Sequence, residues 1–295
     1  VFEDNAVGRM KKEVWDMTEE QLDAVLAEYE VPSPSELGVA GTYIQNTPRY
    51  NQIEKRKKND LVFVPIGCTE NHGLHANTGL DTFMCTSIVE AVRRYTKKQG
   101  RECNLAFTPL NYGGHPYHHI GMPGTVIMPE EVVRESVIYM MLGLWNDGYR
   151  KIILVNNHGH LWMLESAIQE FCKRYQLPGI FRVIDWHRAV REFFYPTDDG
   201  LGMETQFIHA DEAETSVSLL MFKDMINMDV VQDSLGEPLL PNEHFDTSVD
   251  PYHRPNKWSE GEGHAAIERK ATPEGVVGTP SISTARKAKR PIVAI

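Results

Sequence analysis

From Leu61 onward, short apolar runs alternate with longer stretches whose apolar residues recur at helical spacing. Leu61-Val62-Phe63-Val64-Pro65-Ile66 is an unbroken apolar run, the pattern of a strand covered on both faces. Residues 104–110, 151–155 and 180–184 read as further strands. Between them, 81–98, 129–145, 160–175 and 212–222 read as helices. Gly100 stops the first of these, and Pro129-Glu130-Glu131 opens the second with proline and acids in its first turn. Strand–helix alternation of this kind predicts an α/β fold, a mainly parallel central sheet with helices on both faces.

The chain before residue 61 has a different texture. Residues 11–29 have helical spacing, and Thr18 with Gln21 carries a capping-box signature. Residues 31–60 hold Pro32, Pro34, Gly38, Gly41 and Pro48 and are expected to be irregular. The expected organisation is therefore an N-terminal helix and wrapping arm over 1–60, followed by a single α/β domain over 61–295. Residues 233–270, polar and rich in glycine and proline, read as a long loop excursion from that domain.

In open parallel sheets, ligands bind beyond the carboxyl ends of the strands. Ionisable residues concentrate there. Pro65-Ile66-Gly67-Cys68-Thr69-Glu70-Asn71-His72-Gly73, followed by Asp81, places two carboxylates and an imidazole past the first strand. Asn156-Asn157-His158-Gly159-His160 follows the third. Two histidines one residue apart point to the same side of an extended segment, so His158 and His160 could reach one site. His209-Ala210-Asp211-Glu212-Ala213-Glu214 leads into an otherwise apolar helical run, where a carboxylate at Glu214 needs a partner. Carboxylate and imidazole are ligands for divalent transition metals. The segment Asn111-Tyr112-Gly113-Gly114-His115-Pro116-Tyr117-His118-His119 reads as a substrate-lining loop, with His115, Tyr117 and His118 as contacts. Trp162 is a further candidate contact. Asp185, His187 and Arg188, after the fourth strand, either bind substrate hydroxyls or form a structural network at the strand end.

Composition narrows the function classes. The 295 residues are 41% hydrophobic and 24% charged, ordinary for a globular protein. A formal net charge of −11 argues against a nucleic-acid partner, and the one basic run, Lys55-Arg56-Lys57-Lys58, is short and flanked by acids. No apolar stretch is long enough to span a membrane, and Val1-Phe2-Glu3-Asp4 lacks the features of a secretory signal. Cys68, Cys85, Cys103 and Cys172 have no C-x-x-C spacing and are expected to be free thiols in a reducing cytoplasm.

Taken in order, these segments resemble the creatininase (creatinine amidohydrolase) family. Gly67 to Gly73 matches that family's Gly-x-x-Glu-x-His-Gly, and Asp81 matches its aspartate nine residues past the histidine. Pro123-Gly124-Thr125, Asn156 to Gly159, the set His209, Glu214, Thr215 and Ser216, and Gly275-Val276-Val277-Gly278 match its remaining motifs. The runs around Tyr112 and Asp185-Trp186-His187-Arg188 resemble the branch that hydrolyses diketo-inositols. The resemblance implies a three-layer α/β/α fold, a homo-oligomer, often a hexamer, and two divalent ions per subunit (Zn, Mn or Fe). It implies that Glu70, Asp81 and His158 hold one ion and His72 and Asp81 the other, completed by His160 or Glu214. Creatininase itself has a glutamate where this chain has His160. The implied reaction is opening of a small cyclic substrate at a ring carbonyl, with His209 shuttling the proton and His160 a second catalytic candidate. Cyclic-amide hydrolysis, a metal-dependent isomerase or aldolase, and a non-enzymatic sugar-binding protein are the alternatives.

Overall fold

The computed structural model describes residues 38–107, 109–114, 122–198, 202–235, 272 and 274–295, with scattered positions among the first 24. The chain divides into two compact units, Val1–Thr47 and Pro48–Ile295. In the first, the Thr18 amide donates to Gln21 Oε1 at 2.8 Å, and the Gln21 amide donates to Thr18 Oγ1 at 3.3 Å. The reciprocal cap expected from the sequence therefore forms.

In the second unit, four strands pair so that their backbone groups find hydrogen-bond partners in one another. The strands are β1 (Leu61–Ile66), β2 (Asn104–Leu105), β3 (Lys151–Asn156) and β4 (Ile180–Asp185). They lie in the order β2-β1-β3-β4, all parallel. Val62, Val64, Ile66, Ile152 and Leu154 are fully buried in the sheet. The register aligns Ile66 with Asn156 and Asn156 with Asp185, so three strands end at one level.

Among the described residues of this unit the α-helices are α1 (Arg49–Lys58), α2 (Leu80–Lys98), α3 (Glu130–Asn146), α4 (Leu161–Tyr175), α5 (Trp186–Ala189), α6 (Glu212–Met221) and α7 (Ala285–Ala294). The chain leaves β1 for β2 on one side, then crosses to β3 and β4 on the other. Right-handed crossovers require α2 on one face of the sheet and α3 with α4 on the opposite face. The strand order reverses between β1 and β3, which is where a ligand crevice opens in such a sheet.

Three elements differ from the sequence reading. The irregular segment expected over 31–60 ends in helix α1, whose residues are mostly charged or polar and so show no apolar period. It is held by polar contacts instead. Gln52 Nε2 donates to Asp147 Oδ2 at 2.7 Å, and Arg56 Nη1 lies 3.1 Å from Asp147 Oδ1. The strand expected over 104–110 is only Asn104–Leu105, and the chain rejoins the sheet at a bridge between Leu110 and Ile66. Pro109 has no amide to donate between those points. Helix α7 was not among the expected elements, and its Pro291 lies in the last turn.

Candidate metal centre

The exit from β1 is shaped for close packing. A Cβ on Gly67 would lie 2.5 Å from the backbone of Thr82, so glycine lets the strand end meet the start of α2. Asp81 sits in the first turn of that helix, where the helix dipole favours a carboxylate. The Glu70 amide donates to Thr78 O at 2.8 Å and closes the loop between them. At the end of β3, Asn156 Nδ2 donates to His158 O at 2.6 Å, folding the chain back so that His158 faces β1. Helix α6 is capped by Asp211, which accepts the amides of Ala213 and Glu214. Glu214 returns the contact: its Oε2 accepts the Ala210 amide at 2.6 Å, with Ala210 in the left-handed region at φ 50°.

These three segments converge. His158 Nδ1 lies 3.0 Å from both Glu70 Oε2 and Asp81 Oδ2. His72 Nε2 lies 3.5 Å from Asp81 Oδ1, 3.8 Å from Glu214 Oε2 and 4.0 Å from Glu70 Oε2. Donor atoms of Glu70, Asp81 and His158 lie within 4.8 Å of one another, as do those of His72, Asp81 and Glu214, and Asp81 belongs to both groups. His72 Nδ1 lies 3.0 Å from Glu70 O. A proton on Nδ1 satisfies that carbonyl and leaves the Nε2 lone pair facing the carboxylates, the tautomer a metal requires.

Glu70, His72, Asp81, His158 and Glu214 are all buried. Three carboxylates in one buried volume are costly unless cations neutralise them. Without cations, protons take that place. Burial opposes charge on His72, but Asp81, Glu214 and Glu70 outweigh it and raise its pKa to about 10. Burial likewise opposes charge on His158, and Glu70 and Cys68 raise its pKa well above the ordinary value. Burial raises the Glu214 pKa, and Asp81 and Asp211 push it further, against His72. His72 Nε2 is buried with no hydrogen-bond partner among the described residues. Its lone pair and the three carboxylates fit a pair of divalent ions. Two such ions against three carboxylates leave one positive charge to attract an anion.

A third donor group joins Glu70, His72 and His209. The His209 ring lies 4.6 Å from that of His72, and its Nε2 is 2.8 Å from Asn71 O. Donation to that carbonyl puts the proton on Nε2 and the lone pair on Nδ1, 3.9 Å from Glu214 Oε2. The Gly275–Gly278 motif holds this segment in place. His209 and Val277 exchange backbone hydrogen bonds of 3.2 and 3.0 Å.

The remaining sequence candidates lie farther out. His160 precedes α4 and is buried, its ring edge-on to that of His158 at 4.6 Å, and it belongs to none of the three donor groups. Trp162 is half-exposed on the first turn of α4. Asp185 accepts the Arg188 amide at 3.3 Å, capping α5, and Asn156 Nδ2 at 3.3 Å. Burial raises its pKa. Arg188 is exposed. His187 is buried among Trp186, Phe194 and Phe207, at ring distances of 4.1, 5.5 and 4.6 Å. His115, Tyr117 and His118 lie outside the described residues.

Sequence reasoning passed over two features. Glu212, in the first turn of α6, is buried and pairs with Lys287 of α7 at 2.5 Å. Asn157 donates from Nδ2 to Asp81 Oδ1 at 2.9 Å. Neither partner is near in sequence, so no local spacing could reveal them.

Comparison with known proteins bears on the fold and the family. Residues 47–295 match the family model described as Creatininase: Creatinine amidohydrolase. The chain is 40% identical to a 3-dehydro-scyllo-inosose hydrolase of Thermotoga maritima over 86% of its own length and 80% of the relative's. It is 26% identical to a creatinine amidohydrolase of Pseudomonas putida, over 66% of this chain and 76% of that one. Among solved structures, a mutant creatininase of the Zn–Zn type superposes with a TM-score of 0.66 at 18% identity, covering 87% of this chain and 94% of that one. The matched length, the parallel sheet and the order of the motifs lead to one conclusion: the chain belongs to the creatininase (creatinine amidohydrolase) family of hydrolases.

Proposed function

We propose that this chain is a metal-dependent hydrolase that opens the ring of a cyclic diketo-inositol, 3-dehydro-scyllo-inosose or a close analogue. The observation that carries the reading is Asp81, whose two oxygens face two different donor groups, His72 with Glu214 and His158 with Glu70. On this reading Glu70, Asp81 and His158 hold one divalent ion, and His72, Asp81 and Glu214 hold a second. Glu214 rather than His160 completes the second set, because only Glu214 reaches His72. The nitrogen and oxygen donors suit zinc, manganese or iron. When bound, such ions supply Lewis acidity toward a ring carbonyl and make a water more acidic.

The chain's own residues do the rest. His209, with its lone pair on Nδ1, accepts a proton from the attacking water. Attack forms a C–O bond at one ring carbonyl and breaks the C–C bond to the carbon between the two carbonyls. The electron pair leaves on that carbon as an enolate, and His209 returns the proton to it. The product is an open-chain keto-carboxylate. Trp162, Asp185 and Arg188, near the ends of β3 and β4, are the candidates for binding substrate hydroxyls, as are His115, Tyr117 and His118 by the sequence reading. The substrate assignment draws on the 40% identical relative's name. Four thiols with none paired support a reducing cytoplasm, and a homo-oligomer, hexameric by family resemblance, belongs to the same reading.

The test is to load the protein with manganese or zinc and supply 3-dehydro-scyllo-inosose and, separately, creatinine. Loss of the diketone absorbance with a product heavier by one water supports the reading. Turnover of creatinine alone would move the substrate to cyclic amides. A product of unchanged mass would replace hydrolysis with isomerisation.

A further inference from the structure

Asn157 lies between β3 and His158 and is buried. Its side chain makes two directed contacts. Nδ2 donates to Asp81 Oδ1 at 2.9 Å, and Oδ1 accepts the indole N–H of Trp186. Trp186 is among the largest fully buried side chains, and its ring packs against His187 at 4.1 Å and Phe194 at 5.5 Å. It follows Asp185, whose place in the sheet is fixed in register beside Asn156.

An amide side chain can turn over and exchange its donor and acceptor ends. An indole N–H can only donate. Bonded to Trp186, the oxygen of Asn157 is fixed, and the amide nitrogen is therefore aimed at Asp81. The turned amide would place its oxygen against the carboxylate and repel it. Asp81 Oδ1, the atom that receives this bond, is the one facing His72 at 3.5 Å; Oδ2 faces His158 at 3.0 Å. A carboxylate must hold its plane steady if each oxygen is to serve a different donor group, and a side-chain N–H on one oxygen does that.

We infer that Asn157 and Trp186 form a positioning relay that orients Asp81 for two cations. Both are positioning residues, since they act through Asp81. The inference rests on the two-metal reading above. Groups of this kind around a metal ligand typically change affinity by about 10- to 100-fold when removed.

The experiment uses chelator-stripped full-length protein, titrated calorimetrically with Mn²⁺ and with Zn²⁺. The variants are Asn157→Leu, which keeps the shape and removes the amide, Trp186→Phe, which removes the N–H and keeps an aromatic ring, and the double variant. Circular dichroism melting of each stripped variant shows that it is folded. Asn157→Leu should bind about 10- to 100-fold more weakly than wild type. Trp186→Phe should weaken binding about threefold by lowering the population of the competent amide orientation. In the Asn157→Leu background, Trp186→Phe should change affinity by less than about twofold, because a relay has no second link to break. Asn157→Leu within about twofold of wild type overturns the inference. So do fully additive effects, which would mean the two residues act independently. If Asn157→Leu does not fold, Asn157→Ser takes its place with the same expected direction. Wild type that binds no metal would bring down the two-metal reading; wild type that binds while the variants match it would bring down the relay alone.

Discussion

Asp81→Asn isolates the shared carboxylate. The substitution keeps the shape and removes one charge from a point within 3.5 Å of both imidazoles. A unit charge about 4 Å away is worth about 4 kcal/mol at an effective dielectric of about 20. Against a divalent ion the value is at least this large, so each ion that depends on the carboxylate should lose at least about 1000-fold in affinity. Thermal melting turns this into a large signal. With free metal at about 100 times the wild-type dissociation constant, each occupied site adds about 2.7 kcal/mol of stability. For a unit of this size, 1 kcal/mol moves the midpoint by about 2–4 °C, so two sites should raise the wild-type Tm by about 11–22 °C. At the same metal concentration the variant would sit at about a tenth of its own dissociation constant and gain less than about 1 °C. The stripped proteins should also differ. Burial works against charge on Asp81, and His72 with His158 outweighs it, holding its pKa below the ordinary value. A carboxylate whose folded pKa is depressed contributes stability at neutral pH, lost only as pH falls through that depressed value. Stripped Asp81→Asn should therefore melt below stripped wild type at pH 7. Differential scanning calorimetry with and without chelator reads both effects. A variant that keeps two-site stoichiometry and half of the metal-induced shift would refute the shared-ligand argument.

Three other outcomes are expected. His209→Gln should lower kcat by at least about 100-fold, the usual share of a general acid–base group, while bound metal measured by atomic emission stays at the wild-type level; loss of metal would make His209 a ligand. Lys287→Met strands Glu212, but three donors from Glu204 and Thr205 remain on that carboxylate. The cost should fall at the low end for a broken buried pair, about 3 kcal/mol, or a Tm lower by about 6–12 °C; an unchanged Tm would show that the pair contributes nothing. His187 is held neutral because burial drives its pKa down to about 3, against the opposing pull of Asp81. The unfolded chain takes up this proton near pH 6.5 and the folded chain only near 3, so stability is full above pH 6.5 and falls by about 1.4 kcal/mol per pH unit below it. His187→Phe should flatten that acid limb in urea unfolding of metal-free protein, and an identical slope in the two proteins would count against the assignment.

The centre of the sheet was legible because β1 and β3 are largely buried and read as continuous apolar runs: Leu61–Ile66 forms over the residues expected, and β3 and the more exposed edge strand β4 each run one residue further. Helix α1 was not legible, since its contacts are ion pairs and amide bonds to Asp147, and charged residues in sequence look the same whether paired or solvated. Helix α7 was hidden for another reason. Its anchor, Lys287, reads as an ordinary surface lysine until Glu212 is found beside it, 75 residues away in sequence.

The same distinction explains the candidate metal centre. Glu70, His72 and His158 could be read from sequence because each sits a few residues past a strand and parallel strands end together, and Asp81 because it opens the helix that follows the first of them. Glu214 could not be settled against His160 on those grounds. Alternation in an extended segment would aim His158 and His160 the same way, but the chain leaves extended geometry at once: His160 caps α4 at φ −106° and ψ 28°. Its ring is thereby set edge-on to His158 and outside the donor groups. Glu214 arrives from a different element, and what brings it is local. Asp211 takes the first amides of α6, Ala210 turns into the left-handed region, and its freed N–H points back at Glu214 Oε2. That bond leaves the Glu214 carboxylate 3.8 Å from His72. The cap was visible in the sequence as an aspartate before a helical run. The alanine at positive φ that turns the Glu214 carboxylate toward His72 was not, because nothing in an alanine announces a positive φ.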